Sequence, residues 1–287
     1  MAEAFARPLG LFLQGGGALG AWQIGVLAEL SRAGARFDAV MGYSIGAVNG
    51  VAVAYDRMDE ALSRWASLGA GILRPRPRLN PPSLFSDAPL YGVLDVLGSE
   101  TRARAALRVP LTIISAAPAQ GAPINALFEP GEPGERGRWD APIAAHLAAS
   151  CSIPLVFPPV ELDYRGRRVR LIDGGVPQSR GFDLSPLAHC AEILSLEMVR
   201  ADETDLPALS PWRLIDRSGR RAQRRLADEA FAALARGGTR ARVRRWTPSR
   251  RLEPLVLDFR RAGLDALTAL GREDARALLA AASAAPG

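Results

Sequence analysis

"LFLQGGGALGAWQIGVLAEL", Leu11 to Leu30, passes from an apolar run through a knot of glycines into a helical pattern. Leu9 to Gln14 reads as a short buried strand. Leu19, Trp22, Val26, Leu30 and Ala33 recur at helical spacing, and Gly34 follows as a stop, so a helix is predicted over Leu19–Ala33. A glycine-rich loop between a strand and a helix has two chemical uses. It can cradle a phosphate, or it can aim bare backbone N–H groups at the oxyanion of a breaking ester.

Gly15, Gly17 and Gly20 satisfy the dinucleotide pattern G-x-G-x-x-G. That pattern also requires an acidic residue at the end of the second strand, to hold ribose hydroxyls. Asp38 is at a suitable distance, but it stands at the start of the apolar run "DAVMGYS" and so at the wrong end of the strand. The correct end carries Gly42-Tyr43-Ser44-Ile45-Gly46, a G-x-S-x-G after a strand and before a helix. This is the context of a nucleophile elbow, in which a serine rides a tight turn and the flanking glycines remove clashing side chains. In a parallel sheet the two strand ends share one edge. Gly15, Gly16 and Gly17 can then present amides beside Ser44, and Ile45 adds another. Taken together, the two motifs favour an oxyanion loop over a phosphate cradle.

The rest of the chain fits an α/β fold. Further short strands are predicted at Phe37–Tyr43, Val109–Ala116, Arg168–Ile172, Ile193–Val199 and Leu255–Phe259. Helices are predicted at Ile45–Tyr55, Met58–Leu68, Tyr91–Leu97 and Ala141–Ala149. An arginine-rich helical stretch is expected from about Arg213 to Trp246, and an alanine-leucine helix at the end. Arg74–Pro89, rich in proline and arginine, reads as a loop. "CSIPLVFPPV", Cys151 to Val160, cannot be a regular helix, because its prolines fix φ and remove donors. Strands alternating with helices predict a three-layer α/β/α sandwich around a mostly parallel sheet. No repeat or long linker divides the chain.

Composition narrows the setting. The chain has 287 residues, 48% hydrophobic and 23% charged, enough for a folded core. No apolar run reaches the roughly 18–20 residues of a membrane-spanning helix. The N-terminus lacks the pattern of a signal peptide. Cys151 and Cys190 make neither a disulfide framework nor a metal cluster. A cytoplasmic protein is expected. The net charge is +6, and all 36 basic residues are arginine. Either the bias merely decorates solvated faces, or it attracts an anionic surface. Nucleic acid is not an expected partner, because no recognition motif accompanies the charge.

A serine hydroxyl needs a base. His146 is flanked by alanines on a helix and reads as a packing or surface residue. His189 follows Asp173 in the order Ser, Asp, His that a triad allows, but "PLAHCAE" has no loop character to expose it. The better candidate is Asp173, which ends an apolar strand in "LIDGG"; Gly174 and Gly175 after it allow a tight turn. Partial burial would raise its pKa and make it a more useful base. A plain turn is the competing reading of D-G-G.

In this order "GGGALG", "GYSIG" and "DGG" resemble the patatin-like phospholipases, and "AASCSIPLVFPPVEL" resembles that family's stretch before the aspartate strand. The resemblance covers about Leu9 to Val176 and is weak from Ser179 onward. It implies one patatin-like domain over residues 1–287, with a motif-bearing core at about 9–200 and an arginine-rich helical part at about 201–287. It also implies hydrolysis of lipid acyl esters by a Ser–Asp dyad without histidine, metal or organic cofactor. Ser44 is then the nucleophile, Asp173 the base, and Gly15–Gly17 with Ile45 the oxyanion hole; Gly20, Gly42, Gly46, Gly174 and Gly175 complete the motifs. Two positions depart from the family pattern: Leu19 stands where a basic residue is common, and Val176-Pro177-Gln178-Ser179 replaces an asparagine-containing segment. An acyltransferase, a Ser-Asp-His esterase and a non-catalytic lipid-binding protein remain open. So do a wall or lid built from Leu84, Phe85, Leu90 and Tyr91, and peripheral contact with an anionic membrane through the arginine-rich segment and Trp246.

Overall fold

The computed structural model describes residues 5–86, 107–131, 142–205, 211–253 and 255–284. The expected helix at Tyr91–Leu97, and with it Leu90 and Tyr91, lies outside them. A central sheet contains β1 (Leu9–Leu13), β2 (Ala39–Tyr43), β5 (Leu111–Ala117), β9 (Glu192–Leu196) and β10 (Arg242–Trp246) in the order β10-β9-β1-β2-β5, all parallel. β1, β2, β5 and β9 are buried along their whole length. This is why they read as unbroken apolar runs rather than alternating ones.

Helices cover both faces. Leu11, Leu13, Val40 and Ile113 pack on one side with α1 (Gly20–Arg32), α2 (Ile45–Ala54), α4 (Ile143–Ser150) and α6 (Arg261–Ala284). Phe12, Met41 and Ile114 point to the other side, toward Leu226 and Phe231 of α5 (Pro211–Arg236). The architecture is therefore the expected three-layer α/β/α sandwich. α1 and α6 approach backbone to backbone. A Cβ on Gly25 would sit 2.2 Å from the Thr268 carbonyl oxygen, and one on Gly271 would sit 2.0 Å from that of Trp22. Trp22 Nε1 donates to Asp274 Oδ2 at 2.7 Å across the same buried contact.

Three expectations change. Leu255–Phe259 is a turn and loop, not a strand; its Val256 carbonyl accepts from Ala18 N–H at 2.7 Å. The sheet position beside β9 belongs instead to Arg242–Trp246, expected to be helical. The charges of "RVRRW" are tolerated there because Arg244 pairs with Glu192 of β9 and Arg245 with Glu197, the residue just beyond it. Arg74–Pro89 is not all loop: β3 (Arg74–Leu79) and β4 (Pro82–Ser86) form a two-stranded antiparallel hairpin. Its prolines fit because a two-stranded ribbon has free edges that need no N–H.

The sheet is also less parallel than the pattern implied. β6 (Ala122–Phe128) runs antiparallel along one whole edge of β5. The other edge of β5 is shared. β2 takes Leu111–Ile114, and β8 (Arg167–Asp173), antiparallel and coming from the opposite direction, takes Ser115 and Ala116. β7 (Val160–Tyr164) extends this side through its pairing with β8.

Candidate active site

Where β2 and β8 meet head-on along β5, both chains must turn away. Tyr43 lies opposite Ile114 and Asp173 opposite Ser115. The two strand ends are thus one residue apart along their common partner, about 3.3 Å of rise. Ser44 is the first residue beyond β2, and Asp173 is the last of β8. The expected shared edge of a parallel sheet applies to the glycine loop and Ser44, which follow the parallel strands β1 and β2; Asp173 arrives instead on an antiparallel strand.

Ser44 holds φ 52° and ψ −134° at the N-cap of α2. A non-glycine residue there stores about 1–3 kcal/mol. The flanking glycines make the turn possible by their missing side chains. A Cβ at Gly46 would lie 2.3 Å from the Leu13 carbonyl oxygen, and one at Gly42 would lie 2.9 Å from the Gly46 carbonyl carbon. Gly174 is equally confined, 2.5 Å from the Ile114 carbonyl oxygen by the same construction.

Asp173 is buried. Its Oδ1 accepts from Gly175 N–H at 2.7 Å, while Oδ2 is enclosed without a hydrogen bond of full geometry. Burial pushes its carboxyl up to about 6, against the Ser44 hydroxyl and the Gly175 N–H, which favour the charged form. The Ser44 hydroxyl thus lies near enough to Asp173 to favour its charged form.

Two groups here escape the sequence reading. Ser150, fully buried at the end of α4, accepts from Ser44 N–H at 2.8 Å and donates to the Ile114 carbonyl at 2.6 Å. It satisfies the two backbone groups left over where β2 departs from β5. The next turn straps the aspartate, with Asp173 N–H to the Ser152 carbonyl at 2.9 Å and Gly174 N–H to that of Ser150 at 3.3 Å. Cys151 sits beside both motif residues. Burial, then the charge of Asp173, raises its thiol pKa, and the Ser44 hydroxyl partly opposes this. The only sequence signal for either was the family-like stretch "AASCSIP".

The glycine loop lies alongside. Among the described residues, the N–H groups of Gly16, Gly17 and Ile45 are not donated to any protein acceptor. The Gly15 N–H is turned toward the Tyr43 oxygen, whose phenol is raised well above its usual pKa by burial and by Asp173. No hydrogen bond of full geometry forms there, so the Gly15 N–H, like the other three expected oxyanion donors, is not donated to a protein acceptor. Gly20 serves packing: a Cβ there would meet the Ile45 side chain at 2.5 Å.

A cavity of about 120 Å³ opens from Ser44 and follows one face of α2, past Ile45, Val48, Ala52 and Tyr55. Trp65 of α3 (Met58–Ser67) closes its side. That ring is fixed by a buried relay, Trp65 Nε1 to Asn49 Oδ1 at 2.9 Å and Asn49 Nδ2 to Gln23 Oε1 at 3.0 Å.

His189 is exposed and adjoins Cys190, just ahead of the N-terminal end of β9, across the sheet from Ser44. The Ser-Asp-His arrangement is not assembled. His146 is buried edge-on between Phe128 and Tyr164, a packing residue. Among the described residues, no group of His, Cys, Asp or Glu is arranged to hold a metal ion. No described helix is long and apolar enough to cross a membrane. In the arginine-rich segment, Arg220 is buried with Glu203 and Asp216 at 2.7 and 2.8 Å, and Arg224 and Arg225 pair with Asp228 and Glu229. Trp246 is half-buried against the core.

A strained serine at a strand-to-helix turn, a buried carboxylate beside it and an apolar cavity thus meet at one place in an α/β fold. Residues 11–183 match the family described as patatin-like phospholipase, and the chain belongs to that family. No curated protein matches the chain significantly. Among solved structures it is similar to VipD from Legionella pneumophila, at 14% identity over 96% of this chain and 67% of that one, with a TM-score of 0.46. It is also similar to the type III effector ExoU, at 16% identity over 98% of this chain, with a TM-score of 0.42. The chain spans about half of that effector, 54% of its length.

Proposed function

We propose that the protein hydrolyses lipid acyl esters through a Ser44–Asp173 dyad and an acyl-serine intermediate. The family supplies the reaction class. The observation that carries the residue assignment is the head-on meeting of β2 and β8, which leaves serine and carboxylate side by side, with the serine lining an apolar cavity. Asp173 takes the Ser44 proton as Oγ attacks the ester carbonyl. The N–H groups of Gly15, Gly16, Gly17 and Ile45 receive the developing oxyanion. Each such donor is worth roughly 3 kcal/mol. The proton passes to the leaving alcohol, and water activated by Asp173 then releases the acid.

The acyl chain lies along α2. From Ile45 to Tyr55 the helix advances about 15 Å. Phospholipids, lysophospholipids, glycerides and short esters assayed beside Ser44→Ala test the reading. The variant is expected to lose all ester hydrolysis and all labelling by a serine-reactive phosphonate. Labelling that persists in Ser44→Ala refutes the nucleophile.

A further inference from the structure

The most exposed large apolar side chains among the described residues share one corner of the molecule. Leu79 is 96% exposed, Leu155 63% and Leu84 56%. Leu79 and Leu84 belong to the β3–β4 hairpin. Leu155 occupies the turn to which that hairpin is bonded, through Leu84 N–H to the Leu155 carbonyl at 2.9 Å and Phe85 N–H to that of Val156 at 3.0 Å. Singly scattered surface leucines are ordinary, but three gathered on bonded neighbouring elements form the kind of apolar patch that marks an interaction surface.

The same corner is cationic. Arg74 and Arg76 are exposed and Arg78 half-buried, and none of the three has an ion-pair partner among the described residues. No acidic residue occurs between Gly69 and Ser86. The contrast with α5 and β10 is direct, because there Arg220, Arg224, Arg225, Arg244 and Arg245 are matched to carboxylates. Pro75 and Pro77 fix φ along β3, so its arginines are presented on a stiff backbone at reduced entropic cost.

The corner also adjoins the Ser44 cavity. Ile72 and Leu73, which lead into β3, line that cavity, and so do Ile153 and Phe157, which flank the Leu155 turn.

We propose that the β3–β4 hairpin and the Leu155 turn form a docking surface for an anionic lipid bilayer, bringing the adjoining Ser44 cavity up to the membrane. Protruding leucines enter the acyl boundary while arginines stay at headgroup depth, their aliphatic stems on the apolar side. Nucleic acid would use the arginines but has no partner for the leucines. A second copy of the chain would oppose like charges. The surface is separate from the dyad, so it stands or falls independently of Ser44 chemistry.

The test is co-sedimentation of the full chain, in the Ser44→Ala background, with vesicles of phosphatidylcholine alone or containing one third phosphatidylglycerol. Binding to the anionic vesicles alone, weakening with added salt, is expected. Each arginine near an anionic leaflet contributes about fivefold, so Arg74→Gln/Arg76→Gln/Arg78→Gln is expected to weaken partitioning roughly 100-fold. Leu79→Ser/Leu84→Ser is expected to weaken it by about tenfold or more. Arg224→Gln/Arg225→Gln on α5 serves as the control and is expected to bind as the parent does. In the protein with Ser44 intact, the hairpin variants are expected to hydrolyse a short water-soluble ester normally and vesicular lipid poorly. Parent-like binding by the triple arginine variant, no binding by the parent, or a loss confined to the α5 variant overturns the proposal. So does an equal loss on the soluble ester, which would make the hairpin part of the cavity instead. Sedimentation needs no activity, so a parent inert toward every ester sinks the hydrolase reading and leaves this result standing.

Discussion

Replacing Asp173 by Asn is expected to make the protein more stable at neutral pH while removing its activity. The folded carboxyl titrates at about 6, against 3.8 for the free side chain, and burial is the main cause. Above pH 6 the folded state must hold a buried charge that the unfolded state leaves in water. A shift of this size corresponds to about 3 kcal/mol of destabilisation, fully present above roughly pH 7. Below pH 6 the folded carboxyl gains its proton first, and the penalty shrinks as pH falls. Near pH 4 a few tenths of a kcal/mol remain, because the unfolded side chain is then protonating too. Asparagine carries no charge, and its Oδ1 can still accept from Gly175 N–H. Thermal unfolding at pH 8 and pH 4 reads the difference. At this size, 3 kcal/mol corresponds to a Tm increase of about 5 °C at pH 8, with almost none at pH 4. Ester hydrolysis by the same variant should fall at least 100-fold, the lower end for loss of a general base. A gain equal at both pH values would trace to packing, and a loss of stability at pH 8 would refute the desolvated-carboxylate argument.

In the unmodified protein, kcat/KM should rise with pH through an apparent pKa near 6, because only the ionised Asp173 accepts a proton; a flat profile from pH 5 to 8 contradicts that role. Ser150→Ala strands the Ser44 N–H and the Ile114 carbonyl in the interior. Urea unfolding should show a cost of about 2 kcal/mol or more, and kcat should fall more than KM changes. Gly46→Ala places a methyl group against the Leu13 carbonyl, and calorimetry should register a loss of about 3 kcal/mol or failure to fold. His189→Ala should leave kcat/KM unchanged, and a fall of several orders of magnitude would restore the triad.

The sequence by itself determined whatever depends on neighbours in the chain. β1, β2, β5 and β9 were legible because strands buried on both faces must be apolar throughout. The elbow was legible because a serine forced to φ 52° needs small flanking residues, whatever surrounds it. Asp173 was legible as the end of an apolar strand before two glycines. Only the tertiary structure decided what depends on register between distant segments. The direction of β8, and so the reason Asp173 reaches Ser44, is set by its pairing with two residues of β5. Ser150 lies 106 positions from Ser44 and looks like any small helical residue until β2 leaves two backbone groups unpaired beside it. The arginines divide the same way. The codes for Arg76 and Arg225 are identical in the chain, and only the fold gives Arg225 a carboxylate and leaves Arg76 in water beside exposed leucines. A side chain's partners are a property of packing across the molecule, which local pattern does not carry.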